Sequence, residues 1–304
     1  MSNKISYSEA KDLSEARHVL GLSGGKDSAA LAIYIKDRYP ELHDKIEYFF
    51  TDTGAELKEV YDFLDKLEAY LGKEIARLSS GKDFDHWLGV YNGFLPSAKQ
   101  RWCTREMKIK PFERFVGEDL VVSYIGIRAD EDREGYISQK DTIKAVFPFV
   151  EDGVVREDVF RLLEETVGIP EYYAWRSRSG CYFCFFQRQS EWLGLKRNHP
   201  ELYEQAKGYE NRPRERYDWE KGKGDGGGFG YTWSSQGSLD QLVERALVRE
   251  QQEGVLASSQ TQRWQDLLAA HEDDEAEQGC TMSEVDILRR RARACGCAGR
   301  PRRA

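Results

Sequence analysis

The feature that most constrains the fold is a short apolar run that ends in a glycine-containing turn. His18–Leu22 (HVLGL) reads as a β-strand, the sequence SGGKDS follows at residues 23–28, and apolar residues recur at helical spacing over Ser28–Lys36. Glycines let backbone N–H groups approach an anion closely, and a helix start adds unpaired N–H donors and the positive end of its dipole. The segment therefore predicts a phosphate-binding strand–loop–helix turn. An ordinary strand–helix turn is the alternative.

Short apolar runs alternate with amphipathic stretches through the first half of the chain. Further strands are predicted at Lys45–Phe50, Glu74–Leu78 and Leu120–Ile127, and a second helix over Leu57–Leu71. Strands separated by helices are joined by crossovers, which places them parallel in one sheet. We therefore predict an α/β fold with a mainly parallel, twisted sheet and helices on both faces, followed by a helical, cysteine-bearing segment.

The composition divides the chain into three parts. Residues 1–150 are predicted to form the phosphate-binding α/β domain, and residues 151–220 a helical segment with cysteines that packs on it. Residues 221–304 are predicted to comprise a glycine-rich loop at Lys221–Gly230, two or three helices within Leu239–Arg293, and a disordered, arginine-rich tail.

Charge and hydropathy narrow the class of protein. The net charge of −8 argues against wholesale attraction to nucleic acid or to an anionic membrane. No stretch approaches the roughly 20 apolar residues that a membrane span needs, and the polar start of the chain lacks the apolar core of a signal peptide. We therefore expect a cytoplasmic protein with no membrane partner. In a reducing compartment its six cysteines are expected to be metal ligands, catalytic thiols or buried side chains rather than disulfides.

Four segments together resemble a known family. SGGKDS at residues 23–28 matches the SGGxDS signature of the PP-loop ATP pyrophosphatases, and three further segments are similar to their phosphoadenosine phosphosulfate reductase branch. These are TDTGAE at residues 51–56, the stretch from Cys103 to Pro111, and GIRADE at residues 126–131. The resemblance covers about residues 17–210. It implies an adenine nucleotide α-hydrolase-like fold and cleavage of ATP into AMP and pyrophosphate.

The resemblance also assigns roles to individual residues. The expected ATP-binding residues are Ser23, Gly24, Gly25, Lys26, Asp27, Ser28, Asp52, Thr53 and Gly54. Lys26, Asp27 and Arg128 are the expected catalytic residues, with Arg128 contacting an anion. Asp52 or Asp27 is expected to hold Mg²⁺, because hard oxygen ligands suit that ion. Asp52 can instead cap the following helix, and the two roles can coexist.

Three cysteines outside the tail form a candidate metal site. Cys181 and Cys184 make up a CxxC pair, which supplies half of a tetrahedral site, and Cys103 is the expected third ligand. No fourth ligand is evident, although His199 is close in sequence. Some PP-loop sulfur-transfer enzymes carry a [4Fe–4S] cluster on three cysteines, so the resemblance implies a cluster here. Zinc is the competing metal, and metal-free cysteines buried among aromatic side chains are the remaining interpretation.

Activation by ATP makes an oxygen easier to replace with sulfur, so the resemblance implies sulfur transfer. Within the branch the chain looks most like the ATP pyrophosphatase subunit of DNA phosphorothioation systems. The expected acceptor is then the DNA backbone, held with partner proteins, and the expected sulfur donor is a cysteine desulfurase. Helical spacing places Arg101, Arg105 and Lys108 on one face, and the expected acceptor-phosphate contacts are Arg105, Lys108 and Lys110. A solvated helix with its bases offset by glutamates is an equal alternative.

Other functions remain open at this stage. A reductase of phosphoadenosine phosphosulfate or adenosine phosphosulfate needs a Glu-Cys-Gly-x-His segment near the C-terminus, which this sequence lacks. A tRNA-thiolating sulfurtransferase is a further alternative. A non-catalytic nucleotide-binding subunit of a defence or CRISPR-associated complex is the non-enzymatic one. The sequence does not predict an oligomeric state.

Overall fold

The structure is a computed structural model. It describes residues 3–132, 137–138, 140–210 and 231–253, together with the backbone of residues 214–218 and 223–228. The predicted arginine-rich tail, with Cys280, Cys295 and Cys297, lies outside the described residues.

A five-stranded parallel sheet forms the centre of the fold. Its strands are β1 (Arg17–Leu22), β2 (Ile46–Asp52), β3 (Ile75–Ser79), β4 (Val121–Tyr124) and β5 (Ile143–Val146). They lie in the order β3-β2-β1-β4-β5. Because the order reverses at β1, a crevice is expected at the carboxyl ends of β1 and β4. The sheet therefore delivers the loops after β1, β2 and β4 to one edge.

Helices and short turns connect and follow these strands. The connections comprise α1 (Tyr7–Asp12), α2 (Lys26–Arg38), α3 (Pro40–His43), α4 (Lys58–Leu71), α5 (Phe84–Val90), α6 (Trp102–Thr104), a π-helical turn (Arg105–Ile109) and α7 (Lys110–Val116). The sheet is followed by α8 (Pro148–Glu151), α9 (Arg156–Glu165), a 3-10 turn (Glu171–Ala174), α10 (Gln189–Asn198), α11 (Pro200–Glu210) and α12 (Leu239–Glu253).

Alternation along the strands buries both faces of the sheet. Leu20 and Phe50 point into the larger core, which they share with apolar residues of α2, α4 and α9. Their neighbours Val19 and Phe49 point the other way, into a smaller core that Val116 of α7 closes. Side chains of a strand alternate between faces, so a strand covered on both sides is apolar throughout. The predicted parallel α/β fold with helices on both faces is confirmed.

Some predicted elements differ from the structure. The strand expected over Leu120–Ile127 ends at Tyr124, because the backbone after it turns into the loop that carries Arg128. The edge strand β5 was not predicted, and it pairs with β4. The predicted loop at Lys221–Gly230 is also wrong in part, since Lys223–Gly228 forms a strand, β7, that pairs with β6 (Arg214–Asp218) in an antiparallel hairpin. Backbone hydrogen bonding to a partner strand gives glycine-rich chain an extended conformation that its composition does not suggest.

The helices after the sheet are tied to one another as well as to it. Apolar residues of α12, among them Leu242, belong to the same core as the sheet. Trp233, just before α12, donates from its indole nitrogen to the carbonyl of Ala206 at 2.8 Å. Residues 231–253 therefore pack as part of the folded body. Among the described residues no helix is long and apolar enough to cross a membrane.

Candidate functional site

The loop between β1 and α2 has the conformation that its glycines require. Gly24 has φ +70°, and a Cβ added there would lie 2.5 Å from Cγ1 of Val60. Gly25 precedes the first residue of α2 and has no side-chain cap. Both a left-handed backbone and close neighbours exclude larger residues from this turn. The loop is therefore held in one tight shape at the N-terminus of α2.

Hydroxyl groups line the mouth of this loop. The backbone N–H of Ser23 donates to Oγ of Ser28 at 3.2 Å, and the two Oγ atoms are 3.3 Å apart. A third hydroxyl, that of Ser179, donates to Oγ of Ser23 at 3.3 Å. Among the described residues nothing accepts from the backbone N–H groups of Asp27 and Ser28. Unpaired N–H donors at a helix start, with hydroxyls around them, make an anion site.

Asp27 joins the two cations expected to be catalytic. Its Oδ2 lies 3.0 Å from Nζ of Lys26, and its Oδ1 lies 2.7 Å from Nη1 of Arg128. Burial of Asp27 opposes ionisation, yet the charges of Lys26 and Arg128 outweigh it and lower the pKa of the carboxyl group. The structure thus brings together Lys26, Asp27 and Arg128 from two strand ends.

Arg128, the expected anion contact, is buried and bonds two carboxylates. Its residue is 1% exposed, and Nε bonds Oδ1 of Asp130 at 2.9 Å while Nη1 bonds Asp27. Gly126, two residues earlier, comes so close that an added Cβ would lie 2.8 Å from the carbonyl oxygen of Asp27. The segment after β4 therefore braces the first turn of α2 from behind, and Arg128 acts on the loop through Asp27.

Two buried tyrosines grip the loop from the second half of the chain. The hydroxyl of Tyr172 donates to the carbonyl of Gly24, and the N–H of Lys26 donates to the hydroxyl of Tyr173 at 2.9 Å. Both tyrosines lie in the 3-10 turn and are at most 2% exposed. Sequence reasoning missed them, because an EYYAW run far from the loop carries no signal beyond aromatic content.

The segment after β2 lies beside the loop and begins with an aspartate turn. Oδ1 of Asp52 accepts from the N–H of Gly54 at 2.7 Å and from the hydroxyl of Tyr61 at 2.8 Å. Gly54 has φ +69°, which suits glycine at that turn. Within the described part of the chain Oδ2 of Asp52 has no hydrogen-bond partner. Asp52 thus shapes the turn with one oxygen and offers the other.

This difference separates the two candidate Mg²⁺ ligands. Both carboxylate oxygens of Asp27 already face a cation, whereas Oδ2 of Asp52 is open. A divalent ion prefers carboxylate oxygens that are not neutralised by a neighbouring ammonium or guanidinium group. Asp52 therefore fits the ion better than Asp27 does.

Glu56 connects the segment after β2 to the cysteines. Its carboxylate accepts from Oγ1 of Thr53 at 2.7 Å and from the N–H groups of Thr53 and Ala55, both at 3.2 Å. Oγ1 of Thr53 lies 3.2 Å from Sγ of Cys181. Glu56 and Cys181 also form an antiparallel backbone bridge, supported by a bond of 2.8 Å from the N–H of Tyr182 to the carbonyl of Ala55. The CxxC turn is therefore fixed against the nucleotide edge of the sheet.

Lys108 is the charged neighbour of all three cysteines. Burial raises the pKa of Cys103 to about 11, with a further contribution from Cys184, while Lys108 acts in the opposite direction. Burial and the charge of Glu56 raise the pKa of Cys181, again against Lys108. For Lys108 burial opposes the charge, but Cys181, Glu56 and Cys184 together raise its pKa. The thiols thus share one partly buried pocket with an ammonium group.

The predicted metal centre is not formed in this arrangement. Across the residues that the structure describes, no three His, Cys, Asp or Glu side chains are grouped to hold a metal ion. His199, the suggested fourth ligand, lies elsewhere: its Nε2 is 2.9 Å from Oε1 of Glu59, without hydrogen-bond geometry. Cys181 is engaged by Thr53, and Lys108 adds a positive charge among the thiols. Among the described residues the cysteines are therefore not grouped as a ligand set, and the proposed chemistry does not depend on a metal held by them.

The basic residues around Cys103 reach different partners, although helical spacing predicts one face for Arg101, Arg105 and Lys108. Arg105 bonds Glu106 at 2.9 Å and also the hydroxyl of Tyr91, and Lys110 pairs with the same glutamate. Lys108 instead faces the cysteines. The cause is the π-helical turn Arg105–Ile109, since wider turns change which side chains align. Of the expected acceptor contacts, Arg105 and Lys110 are therefore already paired with Glu106.

One family model and two curated proteins are similar to parts of this chain. The model of the "Phosphoadenosine phosphosulfate reductase domain" matches residues 17–148. Two similar curated proteins, both from Methanocaldococcus jannaschii, are "Uncharacterized protein MJ0066", 29% identical over 65% of this chain, and "Uncharacterized protein MJ0973", 25% identical over 60%. The chain spans 41% and 44% of their lengths.

A solved structure is similar over a smaller part. It is the phosphate complex of phosphoadenylyl-sulfate (PAPS) reductase from Candida auris, 13% identical, with a TM-score of 0.39, covering 52% of this chain and 76% of that one.

Proposed function

We propose that this chain, whose residues 17–148 match the phosphoadenosine phosphosulfate reductase domain, is an ATP pyrophosphatase. It cleaves ATP to AMP and pyrophosphate and thereby activates an acceptor for sulfur transfer. The observation that carries this proposal is the loop at residues 23–28, in which unpaired N–H groups, hydroxyls and a buried lysine converge. Such donors stabilise charge that grows on a departing pyrophosphate.

In the proposed reaction Lys26 is the cation that contacts a phosphate group of ATP. Its ammonium group is held 3.0 Å from Oδ2 of Asp27, in a residue that is 7% exposed. A phosphate group at the loop mouth competes with Asp27 for this ammonium, and Arg128 keeps Asp27 ionised after the lysine has turned away. Oδ2 of Asp52 would hold Mg²⁺, which would supply further positive charge beside the phosphates.

The position of the cysteines supports sulfur as the element transferred. Thr53, in the segment expected to contact the nucleotide, has its Oγ1 3.2 Å from Sγ of Cys181. A thiol pocket directly beside the nucleotide edge allows a sulfur donor to meet an acceptor that ATP has just activated. Proximity of two reacting groups is itself a large part of catalysis.

We retain the DNA backbone as the proposed acceptor and a cysteine desulfurase as the proposed sulfur donor. With a net charge of −8, the chain needs partner proteins to hold a duplex. Arg101 supports an anionic acceptor, because it influences Cys103 electrostatically and has no acidic partner among the described residues. A tRNA acceptor uses the same phosphate chemistry and is separated from DNA by an assay for the thiolated product.

The match of residues 17–148 to the phosphoadenosine phosphosulfate reductase domain supports a second candidate, reduction of a sulfonucleotide, in which the pocket of Cys181 would have to replace the missing Glu-Cys-Gly-x-His segment. Phosphoadenosine phosphosulfate presents a phosphate and a sulfate to the same loop, and the pocket of Cys181 and Lys108 lies beside it. Isothermal titration of ATP and of phosphoadenosine phosphosulfate distinguishes the candidates. Tighter binding of the sulfonucleotide, without pyrophosphate release from ATP, supports the reductase.

Pyrophosphate release from ATP and Mg²⁺ tests the proposal, with and without candidate acceptors and partner proteins. We expect Lys26→Ala to lower the rate by more than about 100-fold, because a cation at the departing phosphate is lost. Lys66→Ala, at an exposed position on α4, is the matched control and should keep the wild-type rate. Nucleotide binding without pyrophosphate release under all these conditions would instead indicate a non-catalytic nucleotide-binding subunit.

A further inference from the structure

One side of the phosphate loop is covered by residues from outside the α/β domain. Residues of the 172–181 segment contact the loop through Tyr172, Tyr173 and Ser179. The tyrosines are buried and bond backbone atoms, so they shape the loop. Ser179 differs, because it is partly exposed and its Oγ lies at the loop mouth.

The contact between Ser179 and the loop is close and polar. A Cβ added to Gly25 would lie 2.6 Å from Oγ of Ser179 and 3.1 Å from Oγ of Ser23. The glycine therefore leaves room for two hydroxyls directly above the start of α2. Their mutual bond of 3.3 Å is long for O–H···O geometry, so either hydroxyl readily turns to a stronger acceptor. An anionic oxygen is such an acceptor, since bonds to charged groups are roughly twice as strong.

We propose that Ser179 is a nucleotide-phosphate ligand, supplied to the loop by the cysteine-bearing segment. This inference rests on the proposed nucleotide function and adds a residue that the loop signature does not contain. When a phosphate oxygen occupies the loop mouth, the hydroxyl of Ser179 donates to it instead of to Ser23. The phosphate site is thus completed by two distant parts of the chain.

The same residue links the nucleotide to the thiols. Ser179 is separated from Cys181 only by Gly180, and Arg176 bonds the carbonyls of both Gly180 and Cys181, at 3.1 and 2.8 Å. Arg176 is itself fully buried. Because this short stretch is held by its carbonyls, ordering Ser179 on a phosphate also restrains the backbone of the cysteine turn.

Binding of α,β-methylene ATP, measured by isothermal titration, tests the ligand role without turnover. We expect Ser179→Ala to weaken binding by about tenfold, the usual effect of losing one hydrogen bond to a charged group. Ser190→Ala, at an exposed serine on α10, is the matched control and should bind as the wild type does. An unchanged thermal midpoint shows that Ser179→Ala is folded. Wild-type affinity in Ser179→Ala overturns the inference, whereas loss of binding in Lys26→Ala alone leaves the proposed function standing.

Hydrogen–deuterium exchange of residues 177–186 tests the link to the thiols. At saturating α,β-methylene ATP we expect slower exchange in the wild-type protein and in Ser190→Ala. In Ser179→Ala, saturated at a higher nucleotide concentration, this protection should be absent. Equal protection in Ser179→Ala would show that the cysteine turn senses the nucleotide by another route, and the inferred link would be wrong.

Discussion

Asp27, which is partly exposed, and the buried Arg128 form an ion pair, with Oδ1 and Nη1 2.7 Å apart, that ties the start of α2 to the loop after β4. The other oxygen of Asp27 holds Lys26, so one carboxylate controls where the lysine of the phosphate loop points. Arg128, which is expected to contact an anion, thus contacts Asp27. In the proposed reaction the role of Arg128 is to position Lys26 through Asp27.

Removal of Arg128 should therefore damage both stability and turnover. Arg128→Met leaves the partly buried Asp27 with one of its two cationic partners, and because breaking a fully buried pair costs about 3 kcal/mol, we expect a smaller loss of unfolding free energy, of about 1–2 kcal/mol. Urea denaturation measures this loss. We also expect pyrophosphate release to fall by at least about tenfold, because Asp27 no longer holds Lys26 in the required position. Arg249→Met, at an exposed arginine of α12, is the control. Wild-type turnover in a folded Arg128→Met protein would refute the positioning role.

Tyr172 should stabilise the loop through one buried hydrogen bond. Tyr172→Phe keeps the ring but leaves the carbonyl of Gly24 without its partner, which costs about 1–3 kcal/mol in a buried site. The change should appear as a lower urea midpoint and weaker nucleotide binding. Tyr70→Phe loses only long, exposed contacts to Asp37, so its midpoint should move little. Equal stability of the two variants would show that Tyr172 does not hold the loop.

Two glycines should respond oppositely to alanine. Gly126→Ala places a methyl group 2.8 Å from the carbonyl oxygen of Asp27, which cannot retreat without moving the first turn of α2. Overpacking of this kind costs about 1–3 kcal/mol, and nucleotide binding should weaken with it. Gly89→Ala in α5 meets nothing within 4 Å and should stabilise the helix by about 0.5–1 kcal/mol. Urea unfolding of both variants checks the sign, and a neutral Gly126→Ala contradicts the close contact.

Stability should fall as the pH drops from about 7.5 to 5.5. Burial, with Lys45 near His18 and Lys73 near His43, lowers the pKa of both histidines below 6.5. The unfolded chain then binds protons at a higher pH than the folded chain does, so acidification favours unfolding in this range. We expect a declining urea midpoint in the wild-type protein and a shallower decline in His43→Gln. An unchanged slope in His43→Gln would exclude His43 as a source.

Metal analysis decides between the thiol pocket and the centre expected from the sequence. Lys108 contributes a positive charge to the site of Cys103, Cys181 and Cys184, and these thiols are not grouped as ligands. We expect anaerobically purified protein to hold less than one equivalent of iron or zinc. Stoichiometric iron with acid-labile sulfide would establish a cluster. Lys108→Ala is the informative variant, because Lys108 lowers the pKa of Cys103 and Cys181, so its removal disfavours the metal-binding thiolates and should lower any metal content.

The sequence predicts the part of the site whose residues follow one another along the chain. β1, the phosphate loop and α2 follow one another, so local periodicity and two glycines suffice to place them. The sequence does not predict β5, because Ile143–Val146 is only four residues long and is stabilised by pairing with β4. Tyr172 and Ser179 could not be found at all, since their partners lie about 150 residues earlier and only packing brings them together. Long-range contacts of this kind leave no periodic trace.

The π-helical turn at Arg105–Ile109 has a consequence for how this protein tolerates changes in length. Such a turn accommodates one residue more than an α-helical turn does, without rotating the helix on either side. Deletion of a single residue here should restore an ordinary helix while Trp102 and Phe112 keep their places in the two cores. The same deletion in β1 would turn every following side chain to the opposite face of the sheet. We expect a chain one residue shorter at this turn to keep its fold, while Lys108 no longer faces the cysteines.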